Sequence, residues 1–447
     1  MTAPPPPGPR GAAWGRLNHG YWRADPYGFL RTLVERHGDI VGFDLGRTPC
    51  ILVNGAAAVR ELFTTREPFL HKPDFVKDSN RGHWGDGLTT LEDAAWRTHR
   101  RLLRPAFRPA MLEPHLALVA RCTEAMLDGW GEGGRIDLGA ALRLLTARIA
   151  AHRVLDAEVE GLGPAEGHAG LIPLEEAIGE DYTSAASDDP EAPLAMTRPR
   201  APRRMDAVIR LVDARIASGE DRGDILSTLL HDRTAEGGRL DRDAILGEVI
   251  QLLYSGHLTI PLSLVNVWRD VAEHGISERL AEEGACLCAA GVPPPAALSK
   301  SYGMAVLKES LRLRPPAPVL FRDVARPFVL GGFGFAAGSM VWVSPLLLHR
   351  DPRHFAAPDR FLPARFAAPQ GAAIPAGAYL PFGVGARQCI AMQSALYQMA
   401  LVVLAIARRF RIVPAGDTAD GSAPSGFADA AMFDYSRFRL PPVNVPG

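Results

Sequence analysis

Apolar residues along this chain recur mostly at three- and four-residue spacing, and only a few short stretches read as strand. Phe29, Leu30, Leu33 and Val34 draw one stripe of a helix over Tyr27 to His37, which Gly38 ends as a C-cap. Asp39 to Phe43 and Pro49 to Asn54 read as two strands joined by a turn at Gly46-Arg47, and a helix follows from about Ala56 to Phe63. Helical spacing returns over residues 118–128, which run into a glycine-rich loop ending at Gly134, and again from Leu138 to Leu155. From Asp241 to beyond Val265 the apolar residues lie nearly all round, through Ile245, Leu246, Val249, Ile250, Leu252 and Leu253, which predicts a buried helix. Gly256 and Pro261 inside it predict a kink or groove. Tyr302 to Leu313 and Met392 to Arg408 are further helices, and a glycine-rich strand pair spans Phe328 to Val343 with a turn at Gly338. The pattern predicts a mainly α fold with a small β region.

Composition narrows the class. The 447 residues are 47% hydrophobic and 22% charged with a formal net charge of −1, and no sustained basic run argues for nucleic acid. Five cysteines spread over such a length do not make a secreted disulfide framework, and the pair Cys286 and Cys288 lacks the second pair or histidines of a metal knot. No apolar run is long enough for a membrane span, and the N-terminus lacks the zones of a secretory signal, so a cytoplasmic protein is expected. The proline run Pro4 to Pro7 predicts a disordered tail over residues 1–24, with one large domain over 25–447. Residues 158–204 are weakly periodic and rich in Ala, Pro, Asp and Ser, the composition of a lid, a binding loop or disorder.

The chemistry concentrates at Pro381-Phe382-Gly383-Val384-Gly385-Ala386-Arg387-Gln388-Cys389-Ile390-Ala391. An apolar approach, a turn with two glycines, a cation and a cysteine lead into a helix. The helix N-terminus and Arg387 both favour thiolate, a ligand suited to a soft metal or to haem iron. As a dinucleotide loop the stretch is poor, since it lacks the third glycine and a preceding apolar strand. The string Phe382-x-x-Gly385-x-Arg387-x-Cys389 resembles the haem-ligand loop of the cytochrome P450 family. The family usually has glycine where this chain has Ala391.

Three further motifs fit that resemblance, in the family's order. Trp96 and Arg100 share a helix face, and WxxxR followed by Pro105-Ala106-Phe107 resembles the helix that binds a haem propionate. Glu309 and Arg312, with the later Arg365, resemble the family's structural triad. By family position Arg322 reaches a propionate, while Pro316, Val319, Leu320, Met432 and Phe433 line the substrate pocket. Phe382, Gly383 and Ala391 are expected against the porphyrin, and Cys389 as the proximal iron ligand. The remaining cations Arg97, Arg101, Arg104 and Arg108 suggest a patch for an acidic electron donor.

The stretch Ser255-Gly256-His257-Leu258-Thr259-Ile260 departs from the pattern. It resembles the family's oxygen-binding helix, whose alcohol helps hold dioxygen and whose acid helps deliver protons. Thr259 matches the alcohol, whereas Leu258 replaces the acid and Ile260 the second alcohol. Protons would then come through water, His257 or another group.

The resemblance implies a haem b enzyme, and the leading expectation is oxygen insertion into a hydrophobic small molecule of bacterial specialised metabolism. Electrons would come from a separate ferredoxin or flavodoxin with its NAD(P)H reductase, and a monomer is expected. One rival is an atypical haem-thiolate reaction such as coupling, cyclisation or nitration, motivated by Leu258. The other is a non-catalytic haem binder or sensor.

Overall fold

The computed structural model describes residues 3–131, 135–158, 206–234, 237–367, 374–413 and 443–444. The fifteen helices described are α1 Ala12–Ala24, α2 Pro26–His37, α3 Ala56–Thr64, α4 Asp74–Trp84, α5 Asp93–Leu103, α6 Leu112–Asp128, α7 Leu138–Leu155, α8 Asp206–Ser218, α9 Ile225–His231, α10 Arg242–His274, α11 Ser277–Leu287, α12 Pro295–Lys300, α13 Tyr302–Leu313, α14 Pro345–Leu348 and α15 Met392–Arg409. The strands are β1 Ile40–Leu45, β2 Thr48–Val53, β3 Leu70–His71, β4 Arg135–Ile136, β5 Leu320–Val324, β6 Phe328–Leu330, β7 Phe333–Phe335, β8 Met340–Val343 and β9 Val443–Asn444.

The long helix α10 runs through the middle. The Asp241 carboxylate accepts from the Ala244 N–H at 2.8 Å to start it, and Gly275, at φ 60°, ends it. Gly256 and Pro261, where the sequence predicts a kink or groove, lie inside an element that stays helical for 33 residues. Gly256 instead serves packing, because a Cβ there would stand 3.2 Å from the Ala150 Cβ of α7. Leu264 and Trp268 of α10, Leu142 of α7, Leu311 of α13 and Val403 of α15 share one core. Burial of such side chains, worth roughly 1.5–3 kcal/mol each, holds the helical layer together.

The sheet has the order β1-β2-β8-β5-β3, with β2 and β8 parallel and the other pairs antiparallel. The segment Phe328 to Val343 is therefore not one strand pair. Its first half closes a hairpin, β6 on β7, through Gly331 and Gly332 at φ 58° and 83°, while β8 crosses to the larger sheet.

Two further expectations change. Residues 1–24 do not form a disordered tail over the described part: α1 is a helix, and the chain before it lies along the sheet. Gly42 N–H donates to the Pro7 carbonyl at 2.8 Å, and Gly334 N–H to that of Pro4 at 2.8 Å. Prolines lack a donor but keep a carbonyl, which suits an edge segment that only accepts. The polar, glycine-containing stretch 71–95, in which the spacing predicts no helix, contains α4. The weakly periodic segment 158–204 lies almost wholly outside the described residues.

Candidate active site

A cavity of about 410 Å³ opens between α10, α5, β5 and the cysteine loop. Cys389 sits in that loop, three residues before α15 begins. Its N–H donates to the Phe382 carbonyl at 2.9 Å, and its own carbonyl accepts from Met392 N–H at 3.4 Å. The sulfur is accessible from the cavity and enclosed by protein. Burial pushes the thiol up from its ordinary value, and the Ala391 N–H and the Arg100 guanidinium pull it back. Arg387 is not the cation that governs this thiol. Its guanidinium pairs with Glu92 and, at 3.2 Å, with Glu67, and lies 4.4 Å from the Trp96 ring centroid.

The loop is tightly fixed. Gly383 and Gly385 have φ of 72° and 79°, and a Cβ on Gly385 would come within 1.9 Å of the Phe63 carbonyl oxygen. Ala391 has φ −94° and ψ 10°, a backbone that needs no glycine. Behind the loop, Arg312 donates to both Glu309 oxygens at 2.8 Å, and Arg365 to one of them at 3.0 Å. Arg312 also donates to the carbonyls of His349 and Pro358. His349, which carries no motif signal, completes the link: its Nε2 accepts from Leu380 N–H at 2.9 Å, just before the loop. That contact puts the ring proton on Nδ1, which faces the Arg312 carbonyl at 3.1 Å. Burial holds this histidine neutral, down to about 3.

One edge of the cavity is cationic. Trp96 and Arg100 face it together from α5, as their spacing predicts, and Arg100 donates to the Gln388 carbonyl at 2.7 Å. Strand alternation sorts the residues of β5 and its approach: Leu320 and Arg322 line the cavity, whereas Val319 packs on the other side with Phe43 and Trp342. Val319 is thus a core residue and not a pocket residue. Lys72, unforeseen in the sequence, is buried here, its ammonium donating to the Leu88 and Thr89 carbonyls at 2.8 and 2.7 Å. Among the described residues neither Lys72 nor Arg322 has a carboxylate at ion-pair distance. Burial and the neighbouring arginines push Lys72 well below its usual range and Arg322 down to about 10. Two buried cations without counterions suit a dianionic edge, and haem b carries two propionates. With a cysteine sulfur facing the same cavity, the residues present fit that group.

The α10 wall differs from its reading as apolar all round. Glu248, Gln251, Ser255, Thr259 and Ser263 recur every three or four residues and all line the cavity. This polar stripe was visible in the spacing, hidden among the more numerous apolar residues. Thr259 Oγ1 reaches the Ser255 carbonyl only at 3.5 Å, while Ser263 Oγ donates to the Thr259 carbonyl at 2.8 Å. Ile260, Pro316 and Phe382 also line the cavity. Leu258 does not, since it is buried in the core with Val154 and Leu253. His257 is likewise absent from the wall, with its Nδ1 at 3.2 Å from the Leu253 carbonyl, so the structure does not bring either residue to the site. Met432 and Phe433 lie outside the described residues.

Known proteins share this arrangement. The family model described as Cytochrome P450 matches residues 4–143 and 201–437. A cyclooctat-9-en-7-ol 5-monooxygenase of Streptomyces melanosporofaciens is 30% identical over 408 residues, covering 89% of this chain and 87% of that protein. A cyclooctatin synthase of the same organism is 32% identical over 402 residues, covering 87% and 86%. The solved structure of retinoic acid-bound cyanobacterial CYP120A1 superposes with a TM-score of 0.76 at 25% identity, covering 93% of this chain and 94% of that one. The described helices include none long and apolar enough to cross a membrane. With the motifs, the fold and these relatives in agreement, the chain belongs to the cytochrome P450 family and is a haem b monooxygenase.

Proposed function

We propose that this enzyme inserts oxygen into a hydrophobic small molecule held between the α10 wall and the β5 approach. The observation that carries the reading is the pairing of one cysteine sulfur with two uncompensated buried cations, Lys72 and Arg322, around one cavity. In this reading Cys389 would ligate the iron, and Trp96, Arg100, Arg322 and Lys72 would hold the propionates. When bound, the haem supplies oxygen activation with electrons delivered from outside. Thr259 would offer its hydroxyl to the cavity, and its long contact to Ser255 leaves that hydroxyl free to turn. Pro316, Leu320 and Ile260 exclude water and hold the apolar body of the substrate.

Electrons come from a separate ferredoxin or flavodoxin in this proposal. The exposed Arg97, Arg101, Arg104 and Arg108 offer an acidic donor a cationic face beside the helix that carries Arg100. The Streptomyces relatives motivate a place in bacterial specialised metabolism. A second reading, an atypical transfer such as oxidative coupling, is favoured by one observation: the acid position holds Leu258, a core residue that cannot relay protons. Turnover under isotopically labelled dioxygen separates the two. Label in the product supports insertion, and an oxidised product without label supports the second reading. A reduced carbonyl complex lacking the red-shifted Soret band of thiolate ligation would sink both.

A further inference from the structure

We propose that Glu248 anchors a hydroxyl group of the substrate at the polar end of the cavity. This names the substrate class and rests on the monooxygenase reading above.

The carboxyl of Glu248 is fully buried and lines the same cavity as Ser255 and Thr259. One oxygen, Oε1, lies 2.7 Å from His99 Nδ1 of α5. The other, Oε2, is buried with no hydrogen-bond partner among the described residues. A buried polar atom left in that state destabilises the fold, so its retention on a cavity wall points to a ligand that satisfies it. Its neighbours do not. Gln251, one turn on, is fully engaged: its Oε1 accepts from Thr89 N–H at 2.9 Å and Thr89 Oγ1 at 2.7 Å, and its Nε2 donates to the Gly85 carbonyl at 3.0 Å. The Lys72 ammonium donates to the Leu88 and Thr89 carbonyls and is assigned above to a propionate.

The surroundings select the ligand chemistry. Lys72, Arg100 and Arg322 line the same cavity and are assigned above to the propionates, so they leave no cation to pair with an acidic head group. A carboxylate ligand would meet the Glu248 carboxyl unpaired. A neutral alcohol avoids that clash. It also suits either protonation state of Glu248, donating to the carboxylate or accepting from the acid. His99 is then a positioning residue, which holds the carboxyl against α5 and leaves Oε2 to the ligand. Glu248 and Thr259 stand eleven residues apart on one helix, about 16 Å along its axis. The anchored hydroxyl and the oxidised carbon would therefore sit at opposite ends of a multi-ring or long-chain molecule.

The test uses the haem-loaded full chain and a panel of matched pairs, each a terpene hydrocarbon and the mono-alcohol of the same skeleton, such as cedrane and cedrol. Dissociation constants come from the spin-state shift of the ferric Soret band, with Glu248→Gln and Glu248→Leu beside the parent. Expected is a roughly ten- to hundred-fold preference for alcohols in the parent. Glu248→Gln, which keeps an acceptor oxygen, retains part of it, and Glu248→Leu abolishes it without weakening the hydrocarbons. A parent with no preference, or one that binds no alcohol in the panel, overturns the proposal. So does Glu248→Leu with lowered haem content, which would put the carboxyl at the cofactor. A normal thiolate-ligated carbonyl spectrum with no alcohol preference sinks the anchor alone, whereas an abnormal spectrum sinks the monooxygenase reading first.

Discussion

The cysteine loop and the α10 wall face each other across one cavity, yet they treat polar groups in opposite ways. Around the loop, polar groups are closely paired: Glu309 with Arg312, Arg365 and the Leu362 N–H, and His349 between Arg312 and Leu380. Along α10, Thr259 is held loosely and Glu248 keeps an unsatisfied oxygen. Satisfied buried networks fix geometry, while unsatisfied groups on a cavity wall are available to a ligand. The difference separates a scaffold from a reaction surface. Changes behind the loop should cost stability, and changes on the wall should cost chemistry.

The largest effect expected is that of Cys389→Ala, which removes the sulfur itself. Turnover should vanish and the carbonyl complex should lose its red-shifted Soret band. Turnover retained with that band intact would show that the loop does not hold the iron. Next comes Glu309→Ala, which leaves Arg312 buried and uncompensated. It should destabilise the fold by about 3–5 kcal/mol, read from a denaturant midpoint. A loss under about 1 kcal/mol would mean that the loop is not braced through this network.

Acid should act on the scaffold before the wall. His349 is held down to about 3 from an ordinary value of 6.5, so the unfolded chain takes up its proton first. Its contribution is complete above pH 6.5 and is lost as pH falls toward 3, about 2 kcal/mol between pH 7 and pH 5. His349→Gln should flatten that part of the stability profile, and an unchanged slope would assign acid sensitivity elsewhere. The smallest effect on stability belongs to Thr259→Ala, expected within about 0.5 kcal/mol. It should instead lower the fraction of electrons that reach product. Unchanged coupling would remove Thr259 from the oxygen-handling role and blur the contrast between the two regions. Leu258→Glu is no test of the missing acid, because it would bury a carboxyl among Val154 and Leu253 without opening a path to the cavity.

Sequence by itself determined the helices α2, α3, α7, α10, α13 and α15 and the architecture of the loop. Those features depend on local periodicity, capping and short fixed spacings, such as Glu309 with Arg312 or Trp96 with Arg100, which survive in one dimension. It also located Cys389 and Thr259. Tertiary structure alone decided which way each side chain faces. Val319 and Leu258 turn into the core because strand alternation and helix packing put them there, and Lys72 and Glu248 reach the cavity from segments whose composition gave no sign of it. The edge that ordered residues before Ala12 was equally invisible, since its partners are β1 and β7, tens to hundreds of residues away. Counterions, orphaned oxygens and shared cavities are relations between distant segments, and only folding brings those segments within reach of one another.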